Sequence, residues 1–329
     1  MAKAPRKAKE EIDVLTALKF VQRAQKETGN ISETHSRIIN GYVIAFDGIL
    51  SAGFPIQTPL PDICPNTYQF IHALERANEA SALTFENNII TVKTSKFKAV
   101  VPCIPSTDMQ FVIPDPCLYP LTDSFSAAAK KAAIFTKEGA QTIVGSSVYL
   151  RNGTVVGTNG QVLLEVWHGT PTPDGLIVPK DFIDAVSKVL IKIVGFGFSA
   201  DTFTIWFENG AWFKSQLYRD PWPNFVDILA HTETAVPVEI PKDFWEGVKS
   251  VAPFSEDGRI YFDDGFICSH SNKSKGADYK VKGITAGLSF NHKFIMALSE
   301  IAATIDFASN DRMVPFFGEN VRGVIVKSK

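Results

Sequence analysis

The sequence predicts an α+β fold built from three similar domains, each with two helices packed on antiparallel sheets. Three observations carry this. A Pro-Lys-Asp-Phe run recurs at 179–182 and 241–244, and each copy opens an apolar segment at helical spacing, IVPKDFIDAVSKV and EIPKDFWEGVKSV. Six amphipathic segments recur along the chain. Asn-Gly or Asp-Gly pairs at 40–41, 152–153, 209–210 and 264–265 separate alternating runs, a strong hairpin signal. The 329 residues allow two or three domains at ~150 residues each. Repetition of one supersecondary unit favours three.

The helices are expected at about 12–26, 66–79, 124–138, 180–194, 242–250 and 291–301. In the first, Val14, Leu18 and Val21 share one face, while Lys19, Arg23 and Lys26 lie opposite. The second belongs to CPNTYQFIHALERAN, a weaker third copy with Pro65 in the place of Pro179 and Pro241. Proline suits a first helical turn, where its missing N–H leaves nothing unsatisfied. NHKFIMALSEIA echoes the same copy near the end. Strands with turns lie between, as in RIINGYVIAF, LTFENNIITVKT and RIYFDDGFICSH. Joints are expected at Pro114-Asp115-Pro116 and from His231 to Pro237. The domains are then 1–115, 116–234 and 235–329, with residues 1–10 a basic tail expected to be mobile.

Composition narrows the function. Charged residues make up 21% and hydrophobic residues 45%, which supports a sizeable core and excludes wholesale disorder. No apolar run reaches the ~20 residues of a spanning helix, and the basic N-terminus has no apolar stretch behind it. Cys64, Cys103, Cys117 and Cys268 are far apart, which fits a reducing cytoplasm and neither a disulfide framework nor a zinc module. No phosphate loop, HExxH pair or nucleophile elbow is present. The six histidines are scattered, and no cofactor or metal is implied. Gly195-Phe196-Gly197 reads as a turn before a strand. A non-enzymatic role is therefore favoured. The formal charge is −2, yet the six helices together are net basic. Any nucleic-acid contact is expected to be local.

The middle of the chain resembles the bacterial DNA polymerase III beta subunit, the sliding clamp. The matching runs are GTVVGTNGQVLLEV, GLIVPKDFIDAVSKV and FTIWFENGAWFKSQLYRDPWPNF. The family's T-D-G-H-R-L-like turn reads Thr158-Asn159-Gly160-Gln161-Val162-Leu163. Its I-V-P helix start reads Ile177-Val178-Pro179, and its F-P-D-Y reads Trp222-Pro223-Asn224-Phe225. VPCIPSTDM and the closing GVIVKSK support the match. Asn159, Gln161 and Val162 replace the family's Asp, His and Arg, and Val324-Ile325-Val326-Lys327 replaces a Met-Pro-Met-Arg-like end. These departures fit a divergent member, phage- or prophage-encoded and acting in the host cytoplasm.

The resemblance implies a DNA-clamp fold whose three-domain subunits pair as a homodimer ring around duplex DNA. It implies a processivity factor that tethers a DNA polymerase and is placed by a clamp loader. Basic helix faces would line the channel, with Lys19, Arg23, Lys26, Arg76, Lys130, Lys131, Lys137, Lys188, Lys192, Lys249 and Lys293 as candidates. It also implies an apolar pocket for partner peptides between domains two and three, with Val144, Leu163, Ala230, Val324 and Val326 carried over by position. Two alternatives stay open: a clamp-fold monomer that binds polymerase without encircling DNA, and a repeat-containing enzyme with an unrecognised site.

Overall fold

The computed structural model describes residues 9–77, 82–109, 112–137, 140–272, 275–309 and 312–328, with backbone alone for 9–12. Most of the expected N-terminal tail, residues 1–8, lies outside the described residues. The chain divides into two compact units, one of residues 1–123 and 184–217, the other of residues 124–183 and 218–329.

In the first unit, helix Lys9–Val21 forms because Val14, Ala17, Leu18 and Val21 fall at helical spacing and are all fully buried. It tightens into the 3-10 turn Gln22–Ala24 and stops at Gln25, whose backbone is extended. Lys26 therefore lies beyond it. Helix Thr67–Arg76 begins later than expected. Pro65 ends the short strand Cys64–Pro65, and Asn66 caps the helix by accepting from Gln69 N at 3.0 Å. Residues 78 and 79 of the expected span lie outside the described residues.

Two antiparallel sheets complete this unit. The larger runs Arg37–Ile39, Tyr42–Phe46, Leu50–Pro55, Trp212–Gln216, Thr202–Phe207, Ile193–Phe198, Tyr119–Pro120. The smaller runs Cys64–Pro65, Lys98–Ile104, Ile89–Lys93, Ala82–Glu86. The Asn40-Gly41 hairpin has left-handed backbone at both positions, φ 50° and 74°. Gly195 and Gly197 lie inside a strand and not in a turn before one. The segment 115–119 crosses that strand so closely that a side-chain carbon on Gly197 would lie 2.0 Å from Pro116 O. Pro114-Asp115-Pro116, the expected joint, is tied to this sheet. Asp115 is buried and accepts from Thr204 Oγ1 at 2.8 Å, Thr202 Oγ1 at 2.9 Å and Lys214 Nζ at 3.3 Å.

In the second unit an eight-stranded antiparallel sheet runs Leu176–Pro179, Ser147–Arg151, Thr154–Thr158, Val162–Trp167, Val321–Val326, Met313–Gly318, Thr304–Ile305, Val238–Glu239. A four-stranded sheet runs Asp278–Lys280, Phe266–Cys268, Arg259–Asp263, Leu288–Asn291. Helix Asp123–Ala132 continues only as the 3-10 turn Ala133–Phe135, which leaves Lys137 outside it. Helix Phe244–Val251 starts where Phe244 N donates to Pro241 O at 2.9 Å. Helix His292–Ala297 is capped by Asn291, which accepts from Lys293 N at 3.0 Å, so the NHKFIMAL echo of NTYQFIHAL includes a capping asparagine in each copy.

The helix expected at 180–194 is Lys180–Ser187. Val189 N bonds back to Val186 O, Leu190 is fully exposed, and Ile193 opens a buried strand. The β-branched run Val189, Ile191, Ile193, Val194 suits an extended chain better than a helix. Lys188 and Lys192 consequently lie in the connection and not on a helix face. No helix among the described residues is long and apolar enough to cross a membrane.

Candidate functional site

The Thr158–Leu163 turn builds one side of an apolar cavity in the second unit. Asn159 Oδ1 accepts from Gln161 N at 2.9 Å and Val162 N at 2.8 Å, while Thr158 Oγ1 donates to Val162 O at 2.7 Å. These bonds fix the register that sets Leu163 opposite Thr158 on one side and Val324 on the other. Met313 stands opposite Val326 one strand further on. The other wall comes from Trp222-Pro223-Asn224-Phe225 and helix Val226–Ala230. Asn224 Oδ1 accepts from Val226 N at 3.0 Å, and Asn224 Nδ2 donates to Asp227 Oδ2 at 2.9 Å, which anchors this short helix.

The cavity opens to the surface and is about 190 Å³. Val144, Leu163, Val324 and Val326 line it, as carried over by position. Ala230 does not. It ends the short helix and is exposed, because Phe225, Ile228 and Leu229 take the inward positions. Trp222, Phe225, Ile228 and Met313 belong to the wall, although sequence reasoning does not place them there. Leu163 is 5% exposed and also packs in a core cluster with Val156, Phe225, Leu229 and Val324, so it serves core and cavity together.

The basic candidates fall into two groups. Lys19, Arg23, Arg76, Lys130, Lys131, Lys249 and Lys293 lie on helices or their 3-10 extensions. Lys26, Lys137, Lys188 and Lys192 lie beyond helix ends. All are exposed except Lys131, which is half-buried and donates to Glu319 O at 3.4 Å. Lys19 is paired with Glu75 at 2.6 Å, and Arg23 sits 5.8 Å from the Phe20 ring centre. Lys26 is paired with Glu33, and this hydrogen bond holds the Glu33 carboxyl below its usual range. In the second unit the turn Ala133–Phe135 packs on helix His292–Ala297, which packs on helix Phe244–Val251. Lys130, Lys131, Lys293 and Lys249 thus sit on neighbouring helical segments.

No protein-family model matches the chain, and no curated protein matches it. Solved structures do. The beta sliding clamp of C. crescentus superposes with a TM-score of 0.82 at 15% identity, covering 97% of this chain and 98% of that one. The DNA polymerase III subunit beta of Pseudomonas aeruginosa gives 0.81 at 13% identity over the same shares. The Helicobacter pylori beta clamp bound to a DNA ligase peptide gives 0.76 at 14% identity, covering 96% and 98%.

The chain has the bacterial sliding-clamp fold.

Trp222 and Phe225 belong to the run that carries the clamp resemblance, and their i,i+3 spacing before a short helix is the sequence signal for the second wall. Met313 has no such signal.

Proposed function

We propose that the chain is a DNA sliding clamp, a non-enzymatic processivity factor that encircles duplex DNA and tethers a DNA polymerase. The observation that carries this reading is the clamp fold along 97% of the chain. The three-domain division 1–115, 116–234 and 235–329 belongs to it, and two subunits then supply six domains. Strand Lys98–Ile104 suits edge-to-edge joining: among the described residues its only partner opposite Ile89–Lys93 is Cys64–Pro65, which reaches Cys103 and Ile104, so Lys98–Pro102 presents an edge. Strand Asp278–Lys280 is likewise outermost in its sheet. A closed homodimer would cover such edges.

Exposed lysines and arginines on helical segments would contact phosphates without reading bases, giving weak, salt-sensitive contacts compatible with sliding. The apolar cavity beside Leu163 would take a short peptide from a polymerase or a clamp loader. The H. pylori clamp bound to a ligase peptide supports a protein-binding role for this fold. The reading is tested by molar mass in solution. Light scattering is expected to give twice 36.1 kDa at micromolar concentration. A mass that stays at one chain contradicts the ring and favours the monomeric polymerase-binding clamp.

A further inference from the structure

Helices Lys9–Val21 and Thr67–Arg76 pack side by side in the first unit, and one acidic side chain stands among their exposed cations. Phe70, Ile71, Ala73 and Leu74 are buried, which turns His72, Glu75 and Arg76 outward. Glu75 reaches in two directions. Its Oε1 lies 2.6 Å from Lys19 Nζ on the neighbouring helix, and its Oε2 lies 3.9 Å from Nδ1 of His72 on its own. A carboxylate in contact with a lysine competes with any phosphate that approaches the same lysine. Lys19 and Glu75 together carry no net charge, so His72 sets the sign of the cluster. Histidine changes charge between pH 5 and 8. With His72 neutral the three side chains sum to zero. With His72 protonated they carry one positive charge, and each oxygen of Glu75 faces a cation.

The surrounding charges do not cancel this change. Glu75 is the one carboxylate of helix Thr67–Arg76, and Arg76 follows His72 one turn on. On the neighbouring helix Asp13 accepts from Gln57 N at 2.7 Å, and Arg23 lies one turn beyond Lys19. Strand Lys98–Ile104, also packed on helix Thr67–Arg76, has Lys98 as its one charged residue.

We infer that Glu75 and His72 make the DNA contact of the first unit pH-responsive: Glu75 holds Lys19 back from phosphate, and His72 adds a cation as the pH falls. This rests on the reading of these helices as DNA-facing. DNA favours the protonated cluster, so affinity rises toward acid pH and DNA binding takes up a proton.

The test measures affinity for a labelled duplex by fluorescence anisotropy at fixed ionic strength, from about pH 8 to 5.5. It uses the whole protein and His72→Gln, His72→Lys and Glu75→Gln variants of matched thermal midpoint. Affinity is expected to rise roughly two- to fivefold toward the acid end, and the slope of log affinity against log salt to steepen by about 0.9. His72→Gln should remove most of that rise. His72→Lys should bind at the alkaline end as tightly as the unaltered protein does at the acid end. Glu75→Gln should raise affinity at the alkaline end by a similar factor and steepen the salt slope there. A rise that His72→Gln leaves intact, or an alkaline affinity that Glu75→Gln leaves unchanged, overturns the inference while the DNA-facing reading stands. No duplex binding by any of these proteins at low salt overturns the DNA-facing reading as well.

Discussion

Glu165 and Arg322 stand opposite each other where strand Val162–Trp167 pairs with strand Val321–Val326, and Arg322 grips the carboxylate through Nε at 2.9 Å and Nη2 at 2.7 Å. Glu165 is 2% exposed, and Thr154 Oγ1 donates to its other oxygen at 2.9 Å. This pair fastens two strands that are far apart in sequence. Removing one member of a buried pair leaves the other charge uncompensated. Arg322→Ala is expected to cost about 2–4 kcal/mol, discounted because Arg322 is partly exposed and Arg151 lies 3.4 Å from Glu165. Urea unfolding of the whole protein measures it, and a loss below ~0.5 kcal/mol would show that the pair does not fasten the sheet.

Val326 offers the cleaner probe of the apolar cavity, because it is half-buried where Leu163 is core. Val326→Asp puts an unpaired carboxylate where an apolar side chain should dock, at a cost of several kcal/mol to binding. Peptide affinity should fall at least tenfold with the thermal midpoint nearly unchanged. Unchanged affinity in a folded variant would move the partner's site elsewhere.

Charge reversal of Lys130, Lys131 and Lys137 should weaken DNA binding with little effect on folding, since changes at the exposed Lys130 and Lys137 typically stay within ~0.5 kcal/mol each and the half-buried Lys131 makes only a long 3.4 Å bond to Glu319 O. The slope of log affinity against log salt should fall by about 0.9 for each phosphate that the variant no longer neutralises. Glu75→Gln should act in the opposite sense by releasing Lys19. An unaltered salt slope in the triple variant would remove helix Asp123–Ala132 and the segment just beyond its 3-10 turn from the DNA-facing surface.

His168 gives the second unit an acid sensitivity. It is buried against Phe125, with ring centres 5.4 Å apart, and burial pushes its pKa down to about 4. The unfolded chain takes up this proton near pH 6.5 and the folded chain only near 4. The contribution is therefore complete above pH 6.5 and is lost as pH falls from there through 4, by up to about 3 kcal/mol. His168→Gln should flatten this part of the stability profile, as read from urea midpoints between pH 7 and 4. An equally steep profile in the variant would assign the sensitivity to other groups.

Much of the fold is legible in the sequence because it depends on local patterns. The Asn40-Gly41 and Asp264-Gly265 hairpins need left-handed backbone, which Asn and Gly supply cheaply. Helix ends are harder to read. The apolar spacing of Val186, Val189 and Ile193 continues past Ser187, but the β-branched stretch is claimed by the sheet, an outcome that depends on tertiary pairing. The cavity is half legible. Leu163 and Val324 are reached only through the positions that the clamp resemblance implies, and Ala230, carried over in the same way, fails because one residue of helical rotation turns it outward. The Glu165–Arg322 pair has no sequence signal, because register between remote strands is fixed only on folding.

Retention on circular DNA tests encirclement most directly. Protein loaded on a closed circle should remain through a moderate-salt wash and leave when one cut linearises the circle, because enclosure and not affinity holds it. Equal retention on cut and closed circles would contradict the clamp reading and show that ordinary binding holds the protein on DNA.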